Sequence, residues 1–218
     1  MSPQPPANES LVLSYLGLRK AIGIIGILLP FVLVFGKILL DGPGIESSIS
    51  AYYYTVMGDV FVGSLCAVGV FLLSYRGYER KDNIAGDVAC VFAIGVALFP
   101  TTPEINWTTK DQIIGYVHLS CATGFFLTLA FFSLCLFRKT NPDKPPTRMK
   151  VWRNRVYAAC GYIILACLAL AAVVSFVSDD LPIKRLDPIF WLEATAIVAF
   201  GVSWFTKGEA ILKDEVAV

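Results

Sequence analysis

Six long apolar stretches constrain this chain more than any other feature of its sequence. A helix needs about 20 mostly apolar residues to cross the roughly 30 Å hydrocarbon core of a bilayer. Strands of a membrane barrel would instead alternate in segments of about 10 residues, whereas these stretches are continuously apolar. The sequence therefore predicts an all-α, polytopic membrane protein, a bundle of six transmembrane helices. The stretches are residues 20–40, 57–75, 84–100, 113–137, 156–177 and 189–206.

The composition excludes several classes of protein. Of the 218 residues, 56% are hydrophobic and 16% are charged, against about 45–50% and about 25% in soluble domains. A soluble globular enzyme, a disordered chain and a nucleic-acid binder are therefore excluded. No glycine-rich phosphate loop follows a strand, so we expect no cofactor. Membrane lipids are the expected partners, and nucleic acid is not.

The basic residues are divided unequally between the two ends of the predicted helices. Fourteen of the 18 Lys and Arg residues lie in the N-terminal segment, the second and fourth connections, and the C-terminal tail. Short basic segments stay in the cytoplasm, so both termini are predicted to be cytoplasmic. The chain then divides into an N-terminal cytoplasmic or interfacial segment (1–19), a transmembrane domain (20–206) and a cytoplasmic tail (207–218).

Small residues and cysteines recur within the predicted spans. All six cysteines lie there and none forms a CxxC pair, which indicates small packing residues rather than a redox or metal role. Pairs of small residues at three- or four-residue spacing, such as Gly23 and Gly26 or Gly63 and Ala67, allow helices to approach closely in lipid. They predict a tightly packed bundle that could also pair with a second copy.

Ionisable residues inside a span are costly, and each is a functional candidate by default. At a rise of about 1.5 Å per residue, His118 and Glu193 lie about 7–8 Å below the outer boundary, and Asp59 lies about 3 Å below it. These three residues come from three different helices and share the outer third of the membrane. They are the candidate catalytic residues.

A fourth ionisable residue, Asp87, enters from the opposite side. It falls near the inner interface, close in sequence to Arg80 and Lys81. We expect it to form a structural ion pair with one of them.

Polar and aromatic residues cluster at the level of His118 and Glu193. They predict an outward-opening polar pocket, although tyrosines and tryptophans at this depth also fit an ordinary interfacial aromatic belt. The candidate ligand-binding residues are Ser50, Tyr52 and Tyr53, before the second helix, and Trp191, at the start of the sixth.

Several kinds of chemistry fit such a pocket. An imidazole beside a carboxylate can relay protons or act as a general base, and Ser50 could be a nucleophile if it lay within about 3 Å of His118. The chain has one histidine, so we expect no metal site. Structural alternatives stay open: His118 and Glu193 could bond each other and lock the bundle, and Asp59 could simply favour the positive end of its helix dipole.

Some sequence phrases resemble a group of bacterial six-helix integral membrane proteins with no assigned function. These are SISAYYY at 48–54 running into GDVFVG at 58–63, and WLE at 191–193 followed by FGVSWF at 200–205. The Ile-Ser after the first helix, the histidine on the fourth and the acid on the last resemble, more distantly, the DRAM-related membrane proteins. That wider group includes members linked to lipid remodelling and autophagy. The resemblance implies the same topology and a bacterial inner-membrane location, and it supplies no substrate. It favours Tyr52, Tyr53, Asp59, His118 and Glu193 as site residues.

Three functions follow from these patterns. The first is a protein that binds or processes a lipid-like molecule from the outer leaflet, and whether it is an enzyme stays open. The second is a small solute or proton-coupled transporter or channel. The third is a non-catalytic membrane scaffold.

Overall fold

The computed structural model describes residues 7–77, 79–140, 145–176 and 181–212, and no strand occurs among them. The all-α prediction is confirmed for this part of the chain. Residues 1–6 and 213–218 of the predicted terminal segments, and Val177 at the end of the fifth stretch, lie outside it. The six α-helices are α1 (Ala7–Asp41), α2 (Gly58–Leu73), α3 (Arg80–Leu98), α4 (Thr109–Phe131), α5 (Arg148–Ser175) and α6 (Pro188–Lys207).

Each helix overlaps one of the six apolar stretches, with ends that differ by up to eight residues except at the start of α1, where they differ by 13. Helix α1 passes through the predicted boundary at residues 19 and 20 without a break. Three short elements supplement the helices: a 3₁₀ helix at Ser50–Tyr54, a π-helical turn at Phe132–Leu136 that continues α4, and a 3₁₀ helix at Pro182–Leu186.

Polar residues in the connections set where two of the helices begin. At α4, the Thr108 hydroxyl accepts a hydrogen bond from the Asp111 backbone N–H, and the Asp111 carboxylate accepts one from the Thr108 N–H. Glu79 and Asp82 form the same reciprocal arrangement at α3. This capping box satisfies backbone donors that have no partner in the first turn of a helix.

Four helical segments are long and apolar enough to cross a membrane: Tyr15–Asp41, Thr109–Leu136, Arg148–Ser175 and Pro188–Lys207. Large apolar side chains also cover the outside of the bundle, including Phe35, Val91 and Tyr162, each more than 60% exposed. Soluble monomers rarely expose so much contiguous apolar surface. Together these features indicate a membrane-embedded protein.

The helices pack in chain order, and α6 closes the arrangement by packing against α1. The backbones of α1 and α6 approach closely at small residues. A Cβ atom at Gly201 would lie 2.5 Å from the Ile27 nitrogen, and one at Gly23 would lie 2.6 Å from the Phe205 nitrogen. The predicted role of Gly23 and Gly26 in close packing is confirmed. Gly63, by contrast, has no atom within 4 Å of such a Cβ, so it makes no close contact of this kind.

One end of the ring is filled by an aromatic cluster, made of Tyr75, Phe132, Phe137 and Trp204. The Trp204 ring lies 5.1 Å from Phe137 and 5.2 Å from Tyr75, measured between centroids, in edge-to-face contacts. All four side chains are buried. The cluster leaves this end of the ring closed.

The ion pair of Asp87 differs from the prediction. Its carboxylate lies 3.3 Å from Arg76, not beside Arg80 or Lys81. The prediction was wrong because sequence distance alone favoured residues of the same helix. The α2–α3 connection instead places Arg76 beside the second turn of α3.

Candidate functional site around Glu193

Glu193, in the second turn of α6, holds the connection between α1 and α2. Its Oε2 atom accepts hydrogen bonds from the backbone N–H groups of Ile49, at 2.8 Å, and Ser50, at 3.3 Å. These groups lie at the start of the 3₁₀ helix Ser50–Tyr54, where backbone donors lack helical partners. The N–H of Phe190 returns a bond to the Ser47 carbonyl at 3.1 Å. We call this arrangement the Glu193 clamp.

The other carboxylate oxygen of Glu193 is not used by the clamp. Among the described residues, both hydrogen bonds of the side chain go to Oε2 and none goes to Oε1. A carboxyl oxygen has lone pairs that can accept hydrogen bonds. Oε1 is therefore available to a donor that is not part of this chain.

A small cavity lies inside the ring beneath the 3₁₀ helix. It measures about 40 Å³ and is lined by residues of five helices, with Ser50, Ser64 and Glu193 as its polar contributors. A volume of this size holds a few water molecules, since about 10–15 Å³ suffices for one. The rest of its lining is apolar.

A larger groove lies on the opposite side of Glu193, between α4, α5 and α6. It has a volume of about 330 Å³, which falls within the range of about 300–1,000 Å³ typical of small-ligand sites. Among the residues that the structure describes, Glu193 is the only ionisable side chain that lines it. The apolar lining includes Leu119 and Phe126 from α4, Leu168 and Phe176 from α5, and Leu192 from α6.

The predicted site residues near Glu193 are Ser50 and Tyr52. Ser50 is buried and lines the small cavity. Tyr52 is fully buried, packs on Phe190 with ring centroids 6.3 Å apart, and has no hydrogen-bond partner for its hydroxyl among the described residues. The structure therefore places both residues around the clamp.

His118 is buried on α4, but it serves a different contact. Its Nδ1 atom lies 2.6 Å from the carbonyl oxygen of Phe99, the residue that ends α3. Because a carbonyl can only accept, Nδ1 carries the proton. Within the described ranges, His118 is not hydrogen-bonded to Glu193 or to Ser50, so the proposed acid–base and nucleophile pairs do not form in this conformation.

The remaining predicted site residues lie away from the groove. Asp59 is exposed in the first turn of α2. Tyr53 packs edge to face on Tyr54, with ring centroids 5.2 Å apart. Trp191 is 57% exposed beside Phe190, which suits an aromatic residue at a membrane interface.

The polar connection that follows α1 forms a separate recess. It measures about 280 Å³ and is lined by Glu46, Ser47 and Ser48 together with Thr101 and Thr102. Glu193 does not line this recess, so the polar residues of the connection and Glu193 line different spaces in the structure.

Two parts of the site could not be recognised from the sequence: the backbone donors that bind Glu193 and the lining of the groove. The backbone N–H groups of Ile49 and Ser50 hold Glu193, yet backbone donors carry no residue signature. The groove is lined by ordinary apolar residues of α4 and α5, which look like any lipid-facing helix. Among the described residues, no group of three or more His, Cys, Asp or Glu side chains is placed to hold a metal ion.

No family model, curated protein or solved structure matches this chain. The resemblance to bacterial six-helix membrane proteins and to the DRAM-related proteins therefore stays a prediction.

Proposed function

We propose that this protein binds a lipid-like amphiphile, with the apolar chain in the groove between α4, α5 and α6. A hydroxyl, amide or ammonium group of the amphiphile donates to Oε1 of Glu193. The observation that carries the proposal is this one unengaged carboxyl oxygen at a groove whose other described lining residues are uncharged and mainly apolar. A groove of this composition suits a ligand with one polar end.

The orientation of the protein determines the leaflet from which the ligand enters the groove. We propose that all six helices cross the bacterial inner membrane, with both termini cytoplasmic, so that Glu193 and the groove lie in the outer leaflet. Helices α2 and α3 have 16 and 19 residues, about 24 and 28 Å at 1.5 Å per residue. Bilayers accommodate helices a few ångströms short at modest cost.

Binding has more support than transport. The buried aromatic cluster closes the end of the ring that we propose to be inner, and the polar groups around Glu193 lie at the opposite end. The alternatives of a transporter and of a scaffold stay predictions from the sequence.

Two substitutions separate the parts of this proposal. Glu193→Gln keeps an amide oxygen for the clamp and turns an NH₂ group toward the groove, where it cannot accept from the ligand. Ala171→Phe fills the groove, which Ala171 lines. Ala159→Phe is the matched control, because Ala159 is exposed on the same helix and outside the groove.

The measurement is mass spectrometry of lipids retained by the purified protein. We expect a stoichiometric amphiphile on the wild type and on Ala159→Phe. Retention should fall about tenfold or more in Glu193→Gln, because a lost hydrogen bond to the carboxyl group costs about 1.5 kcal/mol. It should fall at least as much in Ala171→Phe, because the added ring occupies the groove. An empty wild type, or equal retention by Ala171→Phe and Ala159→Phe, would refute the proposal.

A further inference from the structure

Cationic side chains from three helices converge beside the aromatic cluster, at the end of the ring opposite Glu193. They are Arg19 on α1, Lys150 and Arg153 on α5, and Lys207 at the end of α6. Lys207 lies close enough to the other three for their charges to repel it. Helix α6 ends against the backbone of α1, since a Cβ atom at Gly208 would lie 3.0 Å from the Lys20 nitrogen.

Two of these cations lack a hydrogen-bonded acid among the described residues. The Lys207 ammonium lies 5.3 Å from the ring centroid of Phe137 and makes no hydrogen bond there. The Arg19 guanidinium lies over Tyr15 and Tyr75, at 4.2 and 5.5 Å, and its buried Nε atom has no acceptor. Unsatisfied buried donors cost free energy, so an acceptor is expected at this place.

A third buried donor in this region also lacks a hydrogen-bond acceptor among the described residues. The indole N–H of Trp204 is buried without an acceptor in the described part of the chain. Trp204 packs on Tyr75 and on Phe137, the rings that carry Arg19 and Lys207. The donors without an acceptor therefore belong to side chains that contact one another through the rings of Tyr75 and Phe137.

Within the described part of the chain, the nearby acids do not supply the missing acceptor. Asp82 acts on Lys207 only through its charge and is bonded by Lys139, at 3.1 Å. Lys139 also lies 3.3 Å from Glu79. Burial alone lowers the pKa of Lys139, but these two carboxylates outweigh it and hold that pKa above its ordinary value. Glu209 lies near Tyr157 and forms no ion pair with the described cations.

We propose that Arg19 and Lys207 bind a phosphate group at the inner boundary of the membrane. A guanidinium offers a planar fork of donors that matches phosphate oxygens, and an ammonium adds a compact charge. The negative end of the α6 dipole favours the charged form of Lys207, and a bound phosphate favours it further. The phosphate belongs either to an anionic phospholipid headgroup or to a soluble ion, and the site is independent of the Glu193 groove.

Charge-neutralising variants separate this role from a purely structural one. Lys207→Gln removes a cation that makes no hydrogen bond within the described residues and relieves repulsion from its neighbours. Without ligand it should therefore unfold at the same temperature as the wild type or higher. Arg19→Gln removes the other cation. Arg80→Gln is the matched control, because Arg80 is an exposed cation predicted on the same side.

The experiment measures the thermal unfolding midpoint in phosphatidylcholine nanodiscs, with and without phosphatidylglycerol, and in detergent with inorganic phosphate or chloride at equal ionic strength. We expect phosphatidylglycerol or phosphate to raise the midpoint of the wild type and of Arg80→Gln. Apparent binding should weaken about tenfold in each single variant. A response to phosphate alone indicates a soluble ion, and a response to phosphatidylglycerol alone indicates a headgroup.

Two results would overturn the proposal. One is a wild type that responds to neither probe. The other is a Lys207→Gln protein that responds as strongly as the wild type. A Lys207→Gln protein that is destabilised in plain phosphatidylcholine, with its response to both probes unchanged, would assign Lys207 a structural role instead.

Discussion

At the scale of single residues, His118 and Glu193 both form hydrogen bonds to unpartnered backbone groups at the end of a helix. The last carbonyls of a helix and the first N–H groups have no partners within it. His118 donates to the carbonyl of Phe99, the residue that ends α3, and Glu193 accepts from the N–H groups that begin the 3₁₀ helix. Each side chain therefore satisfies the backbone of another element across the ring.

This geometry distinguishes two replacements of His118. The amide nitrogen of asparagine occupies the place of Nδ1, whereas that of glutamine reaches toward the place of Nε2. We expect His118→Asn to keep much of the hydrogen bond to Phe99. His118→Gln should lower the free energy of unfolding by about 1–3 kcal/mol, because it leaves the Phe99 carbonyl without a donor. Unfolding in detergent micelles measures the difference, and equal stability of the two variants would contradict this role.

The sequence predicts one depth for these two residues, but it could not predict their hydrogen-bond partners. Depth follows from position along an apolar stretch, because the bilayer fixes the length of each helix. Partners depend on the rotation of each helix about its axis, which packing determines. His118 and Glu193 share a level, yet one faces the end of α3 and the other faces the connection after α1.

At the scale of the elements, the crossing of α1 and α6 brings two helix backbones close together. The side chain of any residue larger than glycine at 201 would meet the backbone of α1. Sequence spacing identified the small residues of α1, since such pairs mark close crossings in lipid. It could not identify α6 as their partner, because first and last helices are distant in the chain.

Two alanine substitutions test the crossing. Gly201→Ala forces backbone movement at Ile27, so we expect a loss of about 1–3 kcal/mol of stability. Gly63→Ala is the control, because it lies in a helix with open space around it. It should be neutral or stabilising by up to about 1 kcal/mol, the helix preference of alanine over glycine. Equal effects in a chemical unfolding experiment would show that α1 and α6 are not so close.

At the scale of the whole molecule, helix number and orientation determine which leaflet each site faces. The four longest apolar segments stand out by length and composition. Helix α2 is short and α3 carries Arg80, Lys81 and Asp82 in its first turn, so these two depend on their neighbours for support. Pairing with a second copy stays a prediction from the small residues.

Reporter fusions test the orientation. Alkaline phosphatase fused after residue 218 or after residue 78 should be inactive, because the enzyme needs an oxidising compartment for its disulfides. Fusions after residue 44 or residue 105 should be active. An active fusion at the C-terminus, or an inactive one after residue 105, would contradict six spans with both termini inside.

The Glu193 clamp joins two residues that are 144 positions apart in the chain. A ribosome has therefore made five of the six helices before the acceptor for Ile49 and Ser50 exists. Until the final helix is in place, the connection between α1 and α2 lacks its hydrogen bonds to Glu193, and α1 lacks its contact with α6. The end of this protein that contains Glu193 is completed last, so any truncation before α6 leaves both the groove and the connection beside it incomplete.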